Sequence, residues 1–323
     1  MSSGPWNWYC AKAPVPHRGI ERQQLRLHPA PAGGYQRPAL PLRRYDMASP
    51  FVTTEWLAQH LHDPDLVVVD ASWHMPNAAR NAQAEYLDGH IPGAVFFDID
   101  GIADTDTDLP HMLPSPADFA RAVGALGISQ TSTVVVYDEV GLFSSPRAWW
   151  TFRTFGAEQV FMLEGGGPKW RHERRPVETG LVTRRNVIFE PRFDADAVAD
   201  FAYVANRIRD RGAQIVDARP AARFHAEVPE PRAGLKSGHM PGALNVPVGL
   251  LSEGGALKSP EALRAIFAER GIDLDRPIVT SCGSGITAVT LALALEQAGA
   301  SDVAVYDGSW AEWGAHPDAD VES

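Results

Sequence analysis

From Thr53 onward the apolar positions of this chain alternate between two rhythms. Short runs rich in Val, Ile and Leu, at Leu66 to Asp70, Thr133 to Tyr137 and Gln159 to Leu163, predict strands. Between them, apolar residues recur with a helical period from Thr54 to Leu61, from Pro116 to Leu126 and from Pro146 to Phe155, and Thr53 is placed to cap the first of these helices. Strands alternating with helices predict an α/β fold on a parallel sheet, with its loops gathered at the carboxyl ends of the strands. The polar stretch Arg171 to Arg192 interrupts the pattern as a linker, and the same order then begins again.

The second pass repeats the first residue by residue. Ile215-Val-Asp217-Ala-Arg answers Val68-Val-Asp70-Ala-Ser, and Gly238-His-Met-Pro-Gly-Ala-Leu244 answers Gly89-His-Ile-Pro-Gly-Ala-Val95. Val279-Thr-Ser-Cys282 aligns with Val135-Val-Tyr-Asp138, and Val303-Ala-Val-Tyr-Asp-Gly308 with Val160-Phe-Met-Leu-Glu-Gly165. The offsets of 147, 149, 144 and 143 residues differ only by loop-sized amounts, so the chain is a tandem duplication. Solenoid repeats are far shorter, about 20–50 residues. The expected organisation is a tail at 1–46, a first domain at 51–175, a linker at 176–195 and a second domain at 196–317.

One difference between the copies carries chemistry. After the strand-like Ile278 to Thr280, the second copy has Cys282-Gly-Ser-Gly-Ile-Thr-Ala288 and then an apolar helix, Ala288 to Leu295, ended by Gly299. A thiol at the bottom of such a loop faces successive backbone N–H groups and the positive end of a helix dipole, which favour its anion. The first copy has Asp138 at this position, and a carboxylate is no substitute for a thiol nucleophile. Only the second domain is therefore expected to be catalytic, with the first supplying a wall of the site.

The Cys282-Gly-Ser-Gly-Ile-Thr287 loop resembles the active-site loop of the 3-mercaptopyruvate sulfurtransferases, a branch of the rhodanese family, and the likeness extends from about Phe51 to Trp313. It implies two tandem rhodanese-like domains, each a parallel sheet flanked by helices, and a nucleophilic cysteine that takes sulfur from a small-molecule donor as a persulfide. Acceptors of that sulfur in the family are thioredoxin-like dithiols, small thiols or cyanide. Backbone N–H groups from Gly283 through Gly285 and Ile286 to Thr287 are expected to stabilise the thiolate and the persulfide. Thiosulfate-specific members place basic side chains directly after the cysteine, which suits a dianion. Gly283-Ser284-Gly285 is neutral and suits a donor whose charge lies further away.

Further roles carried over from the family fall on matching residues. Ser284 matches a serine assigned to proton shuttling, and local hydrogen bonding within the loop is its alternative. His90 matches the histidine of that shuttle, although His239 occupies the same motif of the second copy and a purely structural turn explains both. Some family members add an aspartate about ten residues before the histidine. Before His90 that range offers Asn81, Glu85 and Asp88, so no aspartate is carried over. Arg223 and Arg232 match the two arginines that hold the substrate carboxylate, for which the guanidinium fork is suited. Arg219 is a third candidate that could instead pair with Asp217 or Glu227.

Composition narrows what remains. A net charge of −11 argues against nucleic acid as a partner. No apolar run approaches the about 20 residues of a membrane span. No His/Cys cluster has metal-ligand spacing, Gly165-Gly166-Gly167 lacks the Lys-(Ser/Thr) of a phosphate loop, and no cofactor is implied. Ala288, six residues after Cys282, stands where a Cys-x5-Arg phosphatase needs arginine. A binding module without catalysis has no use for Cys282, and thiosulfate sulfurtransferase remains the nearest rival. Two cysteines, Cys10 and Cys282, suit a reducing compartment, and a cytoplasmic location is expected. Residues 1–46 hold seven Lys/Arg against two Asp/Glu, so they carry +5 and the remainder −16. This Pro- and Arg-rich tail is expected to be disordered. It is either a presequence directing the protein to mitochondria or lies upstream of a true start at Met47, the favoured alternative. Trp149, Trp150, Trp170 and Trp313 fall in repeated motifs and are expected in the core or at the domain interface.

Overall fold

The computed structural model describes residues 49–323. The expectations for the tail, for Cys10 and for a start at Met47 lie outside the described residues. The described residues form one compact unit containing both copies of the repeat.

The first copy runs β1 (Phe51–Val52), α1 (Thr54–His60), β2 (Leu66–Asp70), α2 (Ala82–Asp88), β3 (Val95–Phe96), α3 (Pro116–Ala125), β4 (Thr133–Tyr137), α4 (Ser145–Thr154), β5 (Gln159–Leu163) and α5 (Gly166–His172). The second runs β6 (Val198–Ala199), α6 (Phe201–Asp210), β7 (Gln214–Asp217), α7 (Ala221–Phe224), β8 (Leu244–Asn245), the antiparallel hairpin β9–β10 (Ser252–Glu253, Ala256–Leu257), α8 (Pro260–Glu269), β11 (Ile278–Ser281), α9 (Ile286–Ala298), β12 (Val303–Tyr306) and α10 (Ser309–Trp313). Both main sheets are parallel and five-stranded, with the equivalent orders β1-β5-β4-β2-β3 and β6-β12-β11-β7-β8.

Local chemistry accounts for the element ends. The Thr53 side chain accepts a hydrogen bond from the Trp56 N–H at 3.1 Å, satisfying one orphan donor of α1. Ser115 does the same for α3 and Ser259 for α8, each followed by proline at the first helical position. Helix α9 ends at Gly299, whose φ of 113° suits a residue without a Cβ. Strands β2 and β7 are buried along their whole length, because helices cover both faces of a parallel sheet.

Nine of the ten residues of α4 and ten of the thirteen of α9 are buried, so both helices are interior elements. They pack on each other across the domain boundary, and one hydrophobic core runs continuously from Val67 and Phe152 to Leu291 and Val305. Each fully buried leucine on α9, such as Leu291 or Leu295, contributes about 1.5–3 kcal/mol of apolar burial. All four tryptophans in the repeated motifs are buried. Among the described residues no helix is long and apolar enough to cross a membrane.

The expected linker at 176–195 is not a free connection. Its backbone is hydrogen-bonded to the first domain through Glu178–His90, Gly180–Leu87, Val187–Gly124, Arg192–Phe155 and Asp194–Thr154. The Glu178–His90 bridge has its counterpart in Glu322–His239, so the second copy extends past 317 to Glu322. Polar composition concealed this because a strap docked through its backbone needs few apolar side chains.

Candidate active site

Cys282 follows β11 directly and is 2% exposed, with no disulfide partner among the described residues. Its N–H meets Ser309 Oγ at 3.2 Å, its carbonyl accepts from Trp310 N at 3.0 Å, and the Gly283 carbonyl accepts from Ala311 N at 3.0 Å. The start of α10 therefore staples the loop in place. Gly285 caps α9 with φ 82°, and a Cβ there would lie 2.8 Å from the Asp307 carbonyl oxygen. Only glycine fits, so the helix amino terminus opens directly beside the thiol. Ser284 is 7% exposed within this turn.

The first copy displays what such a loop binds. Asp138, the counterpart of Cys282, is fully buried, and its carboxylate accepts from the N–H groups of Val140, Gly141, Phe143, Ser144 and Ser145 at 2.6–2.9 Å. Five converging donors make an anion nest that this domain fills with its own side chain. In the second copy the equivalent turn follows Cys282, with no carboxylate of its own to fill it.

The arginine candidates separate. Arg219 is 1% exposed and fully engaged: it pairs with Asp217 at 2.7 Å and Glu230 at 2.9 Å, donates to the Gly238 carbonyl and stacks over Trp310. Its guanidinium is thus occupied by the protein's own groups, and its second acidic partner is Glu230 rather than Glu227. Arg223 is held edge-on by Glu230, with Nε donating at 3.1 Å and Nη2 at 2.5 Å, and its guanidinium lies against the Cα of Gly283. Arg232 is half-buried; burial draws its pKa below the usual guanidinium range, while the electrostatic influence of Cys282 opposes this and Arg223 and Asp100 act in opposite directions. Cys282, Gly283, Arg223 and Arg232 thus share one neighbourhood.

His90 does not join them. It is completely buried in the first domain, its ring stacks on Tyr86 at 4.1 Å, and Nδ1 lies 2.7 Å from the Tyr86 carbonyl. His239 repeats this with Phe224, stacked at 3.8 Å, with Nδ1 2.9 Å from the Phe224 carbonyl. The His-(Ile/Met)-Pro-Gly turn holds its histidine in the same way in both copies, and the contacts of His90 are to its own turn rather than to Cys282, Arg223 or Arg232.

A second histidine of the first domain lies nearer the Cys282 loop. His111 Nδ1 lies 2.7 Å from Asp100 Oδ1, and the other Asp100 oxygen accepts from Trp73 Nε1 at 2.9 Å. Trp73 also packs edge-on against the imidazole at 4.8 Å. The imidazole holds the Asp100 carboxyl below its usual range, more strongly than burial raises it. Asp100 faces Arg232 electrostatically, and Arg147 links the His111 carbonyl to the Gly285 carbonyl, so this pair abuts the Cys282 loop. The Nε2 atoms of His111 and of His90 are both buried with no hydrogen-bond partner among the described residues, so the contact with Asp100 and not this feature sets His111 apart. The eleven-residue spacing from Asp100 to His111 fits the aspartate–histidine spacing sought above. Glu230, Arg147 and Asp307 also escaped the sequence reading, although Glu230 stands inside the Pro229-Glu-Pro-Arg232 motif. No group of three His, Cys, Asp or Glu side chains among the described residues could hold a metal.

The chain is similar to known proteins over most of its length. The rhodanese-like domain model matches residues 53–173 and 200–316. The 3-mercaptopyruvate sulfurtransferase of Escherichia coli (strain K12) is 49% identical over 273 residues, covering 84% of this chain and 97% of that protein. The thiosulfate sulfurtransferase of Rattus norvegicus is 43% identical over 270 residues, covering 81% and 91%. The crystal structure of SseA from Escherichia coli, a 3-mercaptopyruvate sulfotransferase, superposes with a TM-score of 0.76 at 47% identity, covering 81% of this chain and 99% of that one.

Proposed function

The chain belongs to the rhodanese family, whose domain it carries twice, and on that premise we propose that it moves sulfur from 3-mercaptopyruvate through a persulfide on Cys282 to a thiol acceptor, releasing pyruvate. The donor carboxylate lies between the guanidinium groups of Arg232 and Arg223, which directs its sulfur at Cys282. The Cys282 thiolate forms a bond to that sulfur while the carbon–sulfur bond breaks. The electron pair passes to the methylene carbon as the enolate of pyruvate, one proton from the site completes pyruvate, and Cys282-S-SH remains. His111, oriented by Asp100, is the group placed to supply that proton, with Ser284 in the turn as relay.

In the second half-reaction an acceptor thiolate takes the outer sulfur and regenerates the Cys282 thiolate. A dithiol then expels sulfide as it closes to a disulfide, and cyanide leaves as thiocyanate. With Cys282 only 2% exposed, the acceptor must be slender, either a small thiol or the protruding dithiol of a thioredoxin-like protein. A cytoplasmic setting keeps such a thiol reduced.

The observation that carries the donor assignment is where the positive charge lies. The turn Gly283-Ser284-Gly285 is neutral, and the guanidinium groups of Arg223 and Arg232 approach it from another segment. Thiosulfate, a compact dianion, draws less from this layout. Pyruvate formation from 3-mercaptopyruvate with a dithiol, measured beside thiocyanate formation from thiosulfate and cyanide, tests the reading. A higher kcat/KM for thiosulfate refutes it.

A further inference from the structure

Arg147 stands in the first turn of α4, in the domain without the cysteine, yet the contacts of its guanidinium belong to the site. Nη1 lies 2.6 Å from Asp307 Oδ1 and donates to the Gly285 carbonyl at 3.4 Å, while Nη2 donates to the His111 carbonyl. Both members of the ion pair are almost wholly enclosed, at 3% and 4% side-chain exposure. The other Asp307 oxygen accepts from the Leu113 N–H at 2.7 Å, two residues beyond His111. A Cβ built on Gly285 would lie 3.0 Å from Arg147 Nη1, so the turn and the guanidinium are already in contact.

Three segments therefore meet on one side chain: the stretch carrying Asp100 and His111, the turn after Cys282, and the residue that precedes α10. Resting on the sulfur-transfer reading above, we propose that Arg147 is a positioning residue that, with Asp307, holds the Asp100–His111 pair in register with Cys282 across the domain boundary. The planar guanidinium presents five donors at fixed angles, so one group can satisfy a carboxylate and two carbonyls from different segments. An ammonium keeps the charge and cannot span all three. The proton donor and the nucleophile belong to different domains, and a misplacement of about 1 Å between reacting groups can cost about 100-fold in rate.

The alternative, an ion pair that only glues the domains, differs in its coupling. Arg147→Lys is compared with wild type for melting temperature, KM and single-turnover pyruvate release, and the same substitution is made in a His111→Gln background. A positioning role predicts a fall of about 10- to 100-fold in the single-turnover rate. KM for 3-mercaptopyruvate should stay within about threefold, because Arg223 and Arg232 are untouched. In the His111→Gln background the further loss should shrink to less than about threefold, since residues acting through one another are not additive. Equal losses in both backgrounds overturn the proposal, as does a rate unchanged by the substitution. Should Arg147→Lys not fold, Asp307→Asn removes the charge that holds the Arg147 guanidinium and is read by the same criteria. Failure of the wild-type protein to release pyruvate would instead refute the donor assignment, so the two ideas fail separately.

Discussion

Removal of the Arg232 guanidinium is the sharpest probe of donor recognition, because the two carboxylate-binding arginines are not electrostatically equivalent. Arg223 has given its Nε and Nη2 edge to Glu230, at 3.1 and 2.5 Å, and that carboxylate is 1% exposed. Most of its charge is therefore answered inside the protein. Arg232 is half-buried, and its electrostatic partners of opposite sign are Cys282, Asp100 and Glu230. Burial already disfavours its charged form, so an incoming carboxylate relieves a cost at Arg232 that Glu230 has already relieved at Arg223. A charge-assisted hydrogen bond contributes about 1.5–3 kcal/mol, which at 1.4 kcal/mol per decade is about 10- to 150-fold in kcat/KM. Arg232→Ala is placed near the upper end of that range for 3-mercaptopyruvate and Arg223→Ala near the lower. Arg232→Lys should recover part of the loss, since the charge survives and the fork does not. Thiosulfate has no carboxylate, so its slower turnover should fall less. Steady-state kinetics of the three variants with both donors decide the matter. Equal losses for the two donors, or a larger loss at Arg223, would refute the reasoning.

Other consequences follow from the same geometry. Incubation with 3-mercaptopyruvate should add about 32 Da, one sulfur on one thiolate, to wild type and to Cys10→Ser but not to Cys282→Ser, as intact-mass spectrometry will show. His111→Gln should slow pyruvate release by about 10²–10⁴-fold, the usual range for a general acid, while His90→Gln should alter stability and leave the rate of the folded fraction unchanged; the reverse pattern would restore the assignment of His90. Asp70 is 1% exposed, Ser72 stands where the second copy has Arg219, and burial pushes its carboxyl up to about 6. The folded state then holds a proton that the unfolded chain releases near pH 4, so this group lowers stability as pH rises from about 4 to 6 and leaves it lowered above that. Asp70→Asn should therefore raise the melting temperature at pH 7.5 and change it little at pH 4, in thermal melts across that range.

Periodicity and the repeat were enough to read the architecture in the amino-acid sequence. The strands Leu66–Asp70, Thr133–Tyr137 and Gln159–Leu163 and the cap at Thr53 are local matters, decided by β-branched runs and by one hydroxyl, and they fall where the pattern predicts. Cys282 and its glycines were legible for the same reason: a nucleophile on a tight turn before a buried helix is a contiguous motif. Arg223 and Arg232 could be named from their motifs but not ranked, because the carboxylate that occupies Arg223 is a tertiary contact. Arg219 looked like a third ligand only while its partners Asp217, Glu230 and Trp310 were unknown. His90 could not be placed from the sequence. A duplicated sequence contains two copies of every structural residue, and only packing shows that His90 and His239 serve the same turn. Asp100 and His111 lie in a polar stretch without helical or strand period, so nothing local marks them. They acquire a role because helix α4 packs on α9 and lays that stretch against the Cys282 turn, with Arg147 and Asp307 joining the two. Short-range periodicity encodes elements and contiguous motifs, whereas a site assembled from two domains depends on burial and close approach between residues more than a hundred positions apart, which only the folded chain decides.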